Sequence, residues 1–419
     1  MTAAPRTPLA LDAAWLNARP TQAVFSTFAA AGFTARAVGG IVRNTLLGRP
    51  TTDIDLATDA HPHDTMRIAE AAGFKTIPTG LAHGTVTVIA SGTPFEITTL
   101  RRDVATDGRH AEVAFTSDWA IDASRRDFTI NALYCDADGT LFDPLGGLAD
   151  LEPVRIRFIG NPVARIAEDY LRILRFFRFT ATFVEGGVLD AEGLAACVGA
   201  RAGLAQISGE RIQAELLKLL AAPEAAPVTR ALVDSGVFAS LASVAARPAD
   251  LARLIAIEDR LALPPDPLRR LAALAVATPQ DAAVFDARLK LANRDRTRFT
   301  QAATNAALFA SVPDEPAAKV FAYRLGLPAF KDGALIAWAR SGRGVDDAAF
   351  HHLATLPGRF TPPGFPLSGG DLIALGLASG PQIGDALDRL ESHWLAHGFT
   401  PDRDGLLALA KQWLPGAHG

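Results

Sequence analysis

The sequence predicts an α+β chain, in which an N-terminal part of alternating strands and helices is followed by a longer part made of helices alone. Up to about residue 150, short β-like runs recur between helical stretches. After Pro153, apolar residues recur at helical spacing between Pro and Gly punctuation, with Ala-rich and Leu-rich faces through to Leu414. At 419 residues the chain exceeds one ordinary core, so two or more domains are expected.

A mixed helical segment around Leu11 to Ala31 opens the chain, and Ala35 to Val38 reads as the first strand. Gly39-Gly40 then turns the chain into a short helix. Ile54 to Ala57 is the next strand, Pro62 to Ala72 a helix, and Thr85 to Ile89, Pro94 to Thr98 and Thr140 to Asp143 further strands. Arg165 to Phe179 reads as one helix whose apolar face runs through Ile166, Tyr170, Ile173, Leu174 and Phe177. Ser208 to Leu220 carries a helix-start signal and an i,i+4 apolar stripe, and it reads as structural support for the preceding helix. The Pro-rich stretch Leu356 to Gly370 is the expected linker before a terminal helical piece containing Phe365 to Leu377 and Pro381 to Ala396. There is no repeat of fixed period.

Composition narrows the function classes. Hydrophobic residues make up 49%, yet no uncharged apolar stretch reaches the length of a membrane span, and the N-terminal segment lacks the apolar block of a signal peptide. A soluble protein with no membrane partner is expected. The two cysteines, Cys135 and Cys197, have neither metal nor redox spacing, which points to burial in a reducing cytoplasm. A net charge of −4 argues against a uniformly basic nucleic-acid binder, so any polynucleotide must be held by local arginine-rich faces. Arg outnumbers Lys throughout, which suits bidentate phosphate contacts but first of all matches a GC-rich genome.

The chemistry begins at Asp53 and Asp55. Alternate residues of a strand face one way, so both carboxylates project from one face while Ile54 and Leu56 turn to the core. Two carboxylates held so close repel. Hard divalent cations relieve this, and Mg²⁺ accepts one or two carboxylates with water and phosphate oxygens completing its shell. In a two-metal site one ion activates an attacking hydroxyl and the other neutralises departing pyrophosphate. Gly39 and Gly40 let backbone N–H groups approach phosphates, and Arg43 offers a charge-assisted contact to the same triphosphate. The pattern points to nucleotidyl transfer.

Three further segments extend the site. Glu96 faces opposite to Phe95 and Ile97 and is placed to complete a carboxylate triad, although an exposed strand glutamate would read the same. In Arg125 to Leu133, Arg126 suits a phosphate, and Asp127 and Asn131, one helical turn apart, suit a ribose hydroxyl. On the helix after Arg165, Asp169 and Arg172 share a face. A carboxylate there accepts from the exocyclic amino group of C or A while the guanidinium donates to the adjacent ring acceptor; U and G present a carbonyl instead. Such a pair selects C and A together.

These motifs, Gly-Gly-x-Val-Arg, Asp-x-Asp, Arg-Arg-Asp-Phe-Thr-Ile-Asn-Ala and Glu-Asp-x-x-Arg in order, resemble the class II tRNA nucleotidyltransferases, the CCA-adding enzymes, which share a head domain with bacterial poly(A) polymerases. The likeness runs from about Ala35 to Leu220. It implies a nucleotidyltransferase head with a mixed five-stranded sheet over 1–150, then an all-α neck with the base template over 151–225, a body over 226–360 and a tRNA-binding tail over 361–419. It further implies metals on Asp53 and Asp55, triphosphate on Gly40, Arg43 and Arg126, ribose near Asp127, and a protein template for CTP and ATP formed by Asp169 and Arg172 with Arg175 and Arg178 in support. The implied activity is template-independent addition of C, C and A to the tRNA 3′ end with Mg²⁺. No stable protein partner is implied. The alternatives are a poly(A) polymerase, a partial CC-adding or A-adding enzyme, or, from another class, a non-catalytic RNA-binding or nucleotide-binding module. Two departures from the family pattern stand out: Asn44 replaces an aspartate, and His110-Ala111 replaces Arg-Pro in the family's flexible loop, here Arg102 to Ala111.

Overall fold

The structure, a computed structural model, describes the backbone of residues 6–51, 53–106 and 111–413 and the side chains of 11–51, 53–102 and 113–413. The chain forms two compact units, one comprising Met1–Pro248 with Val284–Leu291, the other Ala249–Ala283 with Ala292–Gly419.

The first unit begins with the strands. They are β1 (Arg6–Ala10), β2 (Ala35–Val38), β3 (Ile54–Thr58), β4 (Lys75–Gly80), β5 (Thr85–Ala90), β6 (Thr93–Thr99), β7 (Arg101–Thr106), β8 (Ala111–Phe115), β9 (Tyr134–Cys135) and β10 (Thr140–Phe142). Among the described residues, eight of them make one mixed sheet in the order β1-β10-β9-β2-β3-β6-β5-β4, while β7 and β8 pair as a separate hairpin. The expected kind of sheet is present, with more strands than the five anticipated. The additional ones include β1, β4 and the two-residue β9, segments without a clear period-2 pattern that gain their ladder partners only from the tertiary fold. The central strands are legible from alternation: Val86, Val88 and Ala90 of β5 and Phe95, Ile97 and Thr99 of β6 are buried, and Glu96 between them is exposed. The β3–β6 pairing is parallel and sets Asp55 directly opposite Glu96. Such a pair needs a crossover, and the intervening helix Pro62–Ala71 buries Thr65, Ile68 and Ala69 along one stripe.

The expected helix over Arg165 to Phe179 is instead two helices, Pro162–Glu168 and Leu171–Phe183. Asp169 is extended, with φ −156° and ψ 104°, and its Oδ1 accepts from the Leu171 N–H at 3.1 Å. A short acidic side chain competes with helical hydrogen bonding in this way. The apolar period survives because Ile166, Ile173, Leu174 and Phe177 are all buried. The segment Leu11 to Ala31 is likewise divided, into Ala14–Asn17 and Arg19–Ala30. The run Arg125 to Leu133, anticipated as a helical turn, holds only a 3₁₀ turn at Thr129–Asn131.

In the second unit, helix Pro381–Ala396 has the anticipated bounds. The one foreseen over Phe365 to Leu377 is confined to Gly369–Ala374, because Ser368 and Asp371 form a capping box that fixes its start after Pro366. A buried ion cluster ties this unit together: Glu258, fully buried, accepts from Arg269 Nε at 2.9 Å and Arg270 Nε at 2.6 Å, and Arg269 also reaches Asp332 at 3.2 Å. Removing the carboxylate takes the shared acceptor from two buried cations. Glu258→Ala is expected to lower unfolding stability by about 3–5 kcal/mol, measured by urea denaturation; a loss below about 1 kcal/mol would mean the cluster is solvated.

Candidate active site

At the turn after β2, Gly39 has φ +70° and ψ −120°, a conformation open to glycine, and its N–H bonds the Leu133 carbonyl at 3.2 Å. Helix Gly40–Leu46 starts there with no side-chain cap on its first N–H groups. Asp53 is exposed just before β3 and Asp55 half-buried within it. Burial pushes the Asp55 carboxyl up to about 6, with the charges of Glu96 and Asp53 adding to it and Arg126 opposing. The three acids therefore sense one another, although no group of three or more His, Cys, Asp or Glu side chains among the described residues is gathered closely enough to hold a metal ion. Of the two acids beside Asp55, Glu96 weighs more on it than Asp53 does. An acidic site whose own repulsion resists ionisation, built of hard oxygen donors, fits a divalent cation that brings phosphate oxygens and water with it.

Asp122, whose side chain is 1% exposed, accepts from Arg125 Nε at 2.8 Å, Arg126 Nη2 at 3.0 Å and the Tyr134 hydroxyl at 2.8 Å. Burial alone would raise its carboxyl, but the two guanidiniums and the hydroxyl hold it down at about 2. This anchors Arg126 beside Gly39, and Arg126 Nε is buried without a hydrogen-bond partner among the described residues. An orphaned cationic donor at a glycine turn suits an anionic oxygen.

Asp127 forms the next layer. Its Oδ2 accepts from Arg175 Nε at 2.8 Å and Nη2 at 2.5 Å, and its Oδ1 from Asn131 Nδ2 at 2.9 Å. Burial would raise this carboxyl too, yet Arg175, Asn131 and the Phe128 N–H keep it below the usual carboxylate range. Asn131 in turn accepts from Arg43, and Arg43 donates to Asn44 Oδ1 from Nη2 at 2.8 Å. Asn44 also donates to the Pro50 carbonyl at 3.1 Å, a bond that a carboxylate could not make, while its Oδ1 accepts as an aspartate oxygen would. Burial brings the Arg43 guanidinium down to about 10, Asp127 opposing and Arg178, Arg175 and Arg49 contributing.

At the far end, Asp169 Oδ2 accepts from Arg211 Nη2 at 2.7 Å. Arg172 does not pair with Asp169. It donates to Glu168 Oε2 at 2.5 Å and to the carbonyls of Arg165 at 2.7 Å and Arg125 at 3.3 Å, so the two foreseen base readers flank the helix break separately. Arg178 points elsewhere, to Glu215, and does not line the cavity.

The remaining predicted residues converge. A cavity of about 440 Å³ is lined by Gly39, Gly40, Arg43, Asp55, Arg126, Asp127, Asn131, Asp169, Arg172 and Arg175, joined by Leu171, Phe179 and Arg211. Sequence reasoning missed these last three. Phe179 lies under the arginines, its ring centroid 5.3 Å from the Arg43 and 5.4 Å from the Arg175 guanidinium carbon, a cation–π floor that the apolar stripe of its helix disguised as core. Arg211 was concealed on a helix read as support; its one signal is the i,i+4 spacing to Glu215, which puts both on one face. His110 and the side chain of Ala111 lie outside the described residues.

A mixed sheet with one aspartate on β3 and another just before it, beside a glycine turn and an arginine-lined cavity, defines a nucleotidyltransferase. Residues 35–157 match the Poly A polymerase head domain model, and residues 189–246 match the model described as a probable RNA and SrmB-binding site of polymerase A. The mitochondrial CCA tRNA nucleotidyltransferase 1 of Mus musculus is 36% identical over 393 residues, covering 92% of this chain and 88% of the relative. The CCA-adding enzyme of Streptococcus gordonii is 40% identical over 237 residues, 56% of this chain and 58% of that one. Among solved structures, the Bacillus stearothermophilus CCA-adding enzyme in complex with CTP superposes with a TM-score of 0.74 at 28% identity, covering 94% of this chain and 96% of that one. The chain belongs to the CCA tRNA nucleotidyltransferase family.

The geometry of Asp122 makes a direct prediction. Asp122→Ala removes the acceptor for two guanidiniums and a buried hydroxyl and is expected to cost about 3–5 kcal/mol of stability, whereas Tyr134→Phe, which removes one donor, should cost about 1 kcal/mol. Equal losses for the two in urea denaturation would contradict this account.

Proposed function

We infer that this chain adds C, C and A from CTP and ATP to the 3′ end of tRNA without a nucleic-acid template, releasing pyrophosphate. One observation carries the reading: a single cavity is lined by Asp55 and the glycine turn together with Asp169 and Arg172. Such a cavity spans a nucleotide from triphosphate to base. The names of the relatives and the CTP-bound structural neighbour support the same activity.

In the proposed arrangement Gly39, Gly40, Arg43 and Arg126 receive the triphosphate through backbone N–H groups and guanidinium donors. Arg175, fixed by Asp127, closes the ribose side together with Asn131, and Arg178 steadies Arg175 by sharing Glu215 with it. Asp169 accepts from the exocyclic amino group of C or A, and Arg172, held by Glu168, donates to the neighbouring ring nitrogen. Asp53 and Asp55 would hold Mg²⁺, whose chemistry when bound is to polarise the terminal 3′-hydroxyl and neutralise the leaving pyrophosphate. We further propose the functional division into head (1–150), neck (151–225), body (226–360) and tRNA-binding tail (361–419). The compartment proposed is the reducing cytoplasm, on the two buried free cysteines; the mouse and human relatives are mitochondrial by name. Among the described residues no helix is long and apolar enough to cross a membrane.

The test is to incubate the protein with tRNA lacking its CCA end and all four nucleotides and to sequence the product. C, C and A in order is expected. A run of A, or a stop after CC, would move the assignment to a poly(A) polymerase or a partial enzyme. In the same assay Asp55→Ala should reduce incorporation of both nucleotides by about 10²–10³-fold or more with tRNA binding retained; continued CTP incorporation would overturn the metal assignment. Asp169→Ala should relax the choice of base, raising UTP incorporation relative to CTP by about a hundredfold or more.

A further inference from the structure

We propose that Arg211 is a specificity-determining positioning residue, which holds the Asp169 carboxylate in the orientation that distinguishes an amino-bearing base from a carbonyl-bearing one. The inference rests on Asp169 being the base reader.

Asp169 occupies a break between two helices, so its backbone gives the side chain no helical register. Two contacts replace that register. The Leu171 N–H takes Oδ1, and Arg211 Nη2 takes Oδ2 at 2.7 Å, leaving each oxygen a second lone pair. A carboxylate pinned at both oxygens presents its free lone pairs in one direction, and a base amino group must meet them there. Arg172 cannot supply the restraint, because its guanidinium is committed to Glu168 and to two backbone carbonyls.

The helix that carries Arg211, Gly209–Ala221, is itself fixed from two sides. One turn further along, Glu215 accepts from Arg178 and lies 3.7 Å from Arg175 Nη1, tying the same face to the ribose end of the cavity. At its start, a Cβ on Gly209 would come within 2.2 Å of the Arg288 carbonyl oxygen, so the helix terminus is seated against backbone. Tyr170 adds to this, its ring lying so close to Gly203 that a Cβ there would sit 2.1 Å away, which locks the residue next to Asp169. Arg211 therefore projects from a rigid shelf onto a carboxylate that its own backbone leaves loose. Freed of Asp169, its guanidinium would donate to a base carbonyl and so favour the carbonyl-bearing bases; the ion pair suppresses that readout.

The experiment compares the full-length protein with Arg211→Met, Arg211→Lys, Asp169→Ala and the double variant Asp169→Ala/Arg211→Met. Each is checked for an unchanged unfolding midpoint, and kcat and KM are measured separately for CTP, ATP and UTP on tRNA substrates. Arg211→Met is expected to raise KM for CTP and ATP and to lower the CTP-over-UTP ratio of kcat/KM by about tenfold or more, Arg211→Lys to restore most of that ratio, and the double variant to discriminate no worse than Asp169→Ala alone. If Arg211→Met discriminates like the unaltered protein while Asp169→Ala does not, the positioning role is overturned and Asp169 remains the reader. An equal loss for all nucleotides with the ratio preserved makes Arg211 merely structural and also overturns it. If Asp169→Ala itself discriminates normally, the reading beneath the proposal fails. Should Arg211→Met lower the unfolding midpoint, Arg211→Lys decides: a CTP-over-UTP ratio reduced tenfold despite the retained charge and fold would show that one cation does not suffice and overturn the ion-pair account.

Discussion

The constraint on which the site depends is the buried pairing of Arg175 with Asp127. A guanidinium donates twice to one carboxylate oxygen, while the other oxygen holds Asn131 and Asn131 holds Arg43. Behind Arg175, Glu215 binds it and Arg178 from the next helix. The result is a continuous polar relay from the helical segment after residue 151 to the glycine turn of the sheet. Each carboxylate in it is desolvated and each is satisfied, which is the condition under which buried charge specifies a geometry rather than merely costing stability. Phe179 beneath the arginines excludes water from one side of the relay and gives the cations a π face in exchange.

The acid end is organised by a different rule. There like charges face each other: Asp55 is held toward its protonated form by burial and by two neighbouring acids, and Arg126, which opposes them, is also bonded to Asp122. Strand register does this. The parallel β3–β6 ladder sets Glu96 across from Asp55, and backbone hydrogen bonding fixes that spacing independently of side-chain repulsion. One molecule thus pairs carboxylates with arginines where it builds the relay and sets carboxylates against each other on the sheet.

Much of this was legible in the chain. Alternation located β5 and β6 and turned Glu96 outward, and the Gly-Gly turn and Asp55 fell on the elements expected of them, while Asp53 lies one residue before its strand. Ten of the thirteen foreseen site residues line one cavity, with Asp53 and Glu96 at its acidic edge. Arg178 does not, because a helical arginine's direction is set by the partner it meets, in this case Glu215. The break at Asp169 was also invisible, since the apolar period continues across it without a slip. Arg211 was missed for a related reason: periodicity identifies which face of a helix is polar but not what that face touches.

By itself the sequence determined the local rules: which residues alternate, where glycine is required, and which carboxylates can stand on one face of a strand. These depend on covalent geometry and on separations of a few residues. Only the tertiary structure decided which charges neutralise each other. Asp127 met Arg175 across 48 positions and Asp169 met Arg211 across 42, and Coulomb attraction in a buried site depends on distance in space, about which spacing along the chain carries no information.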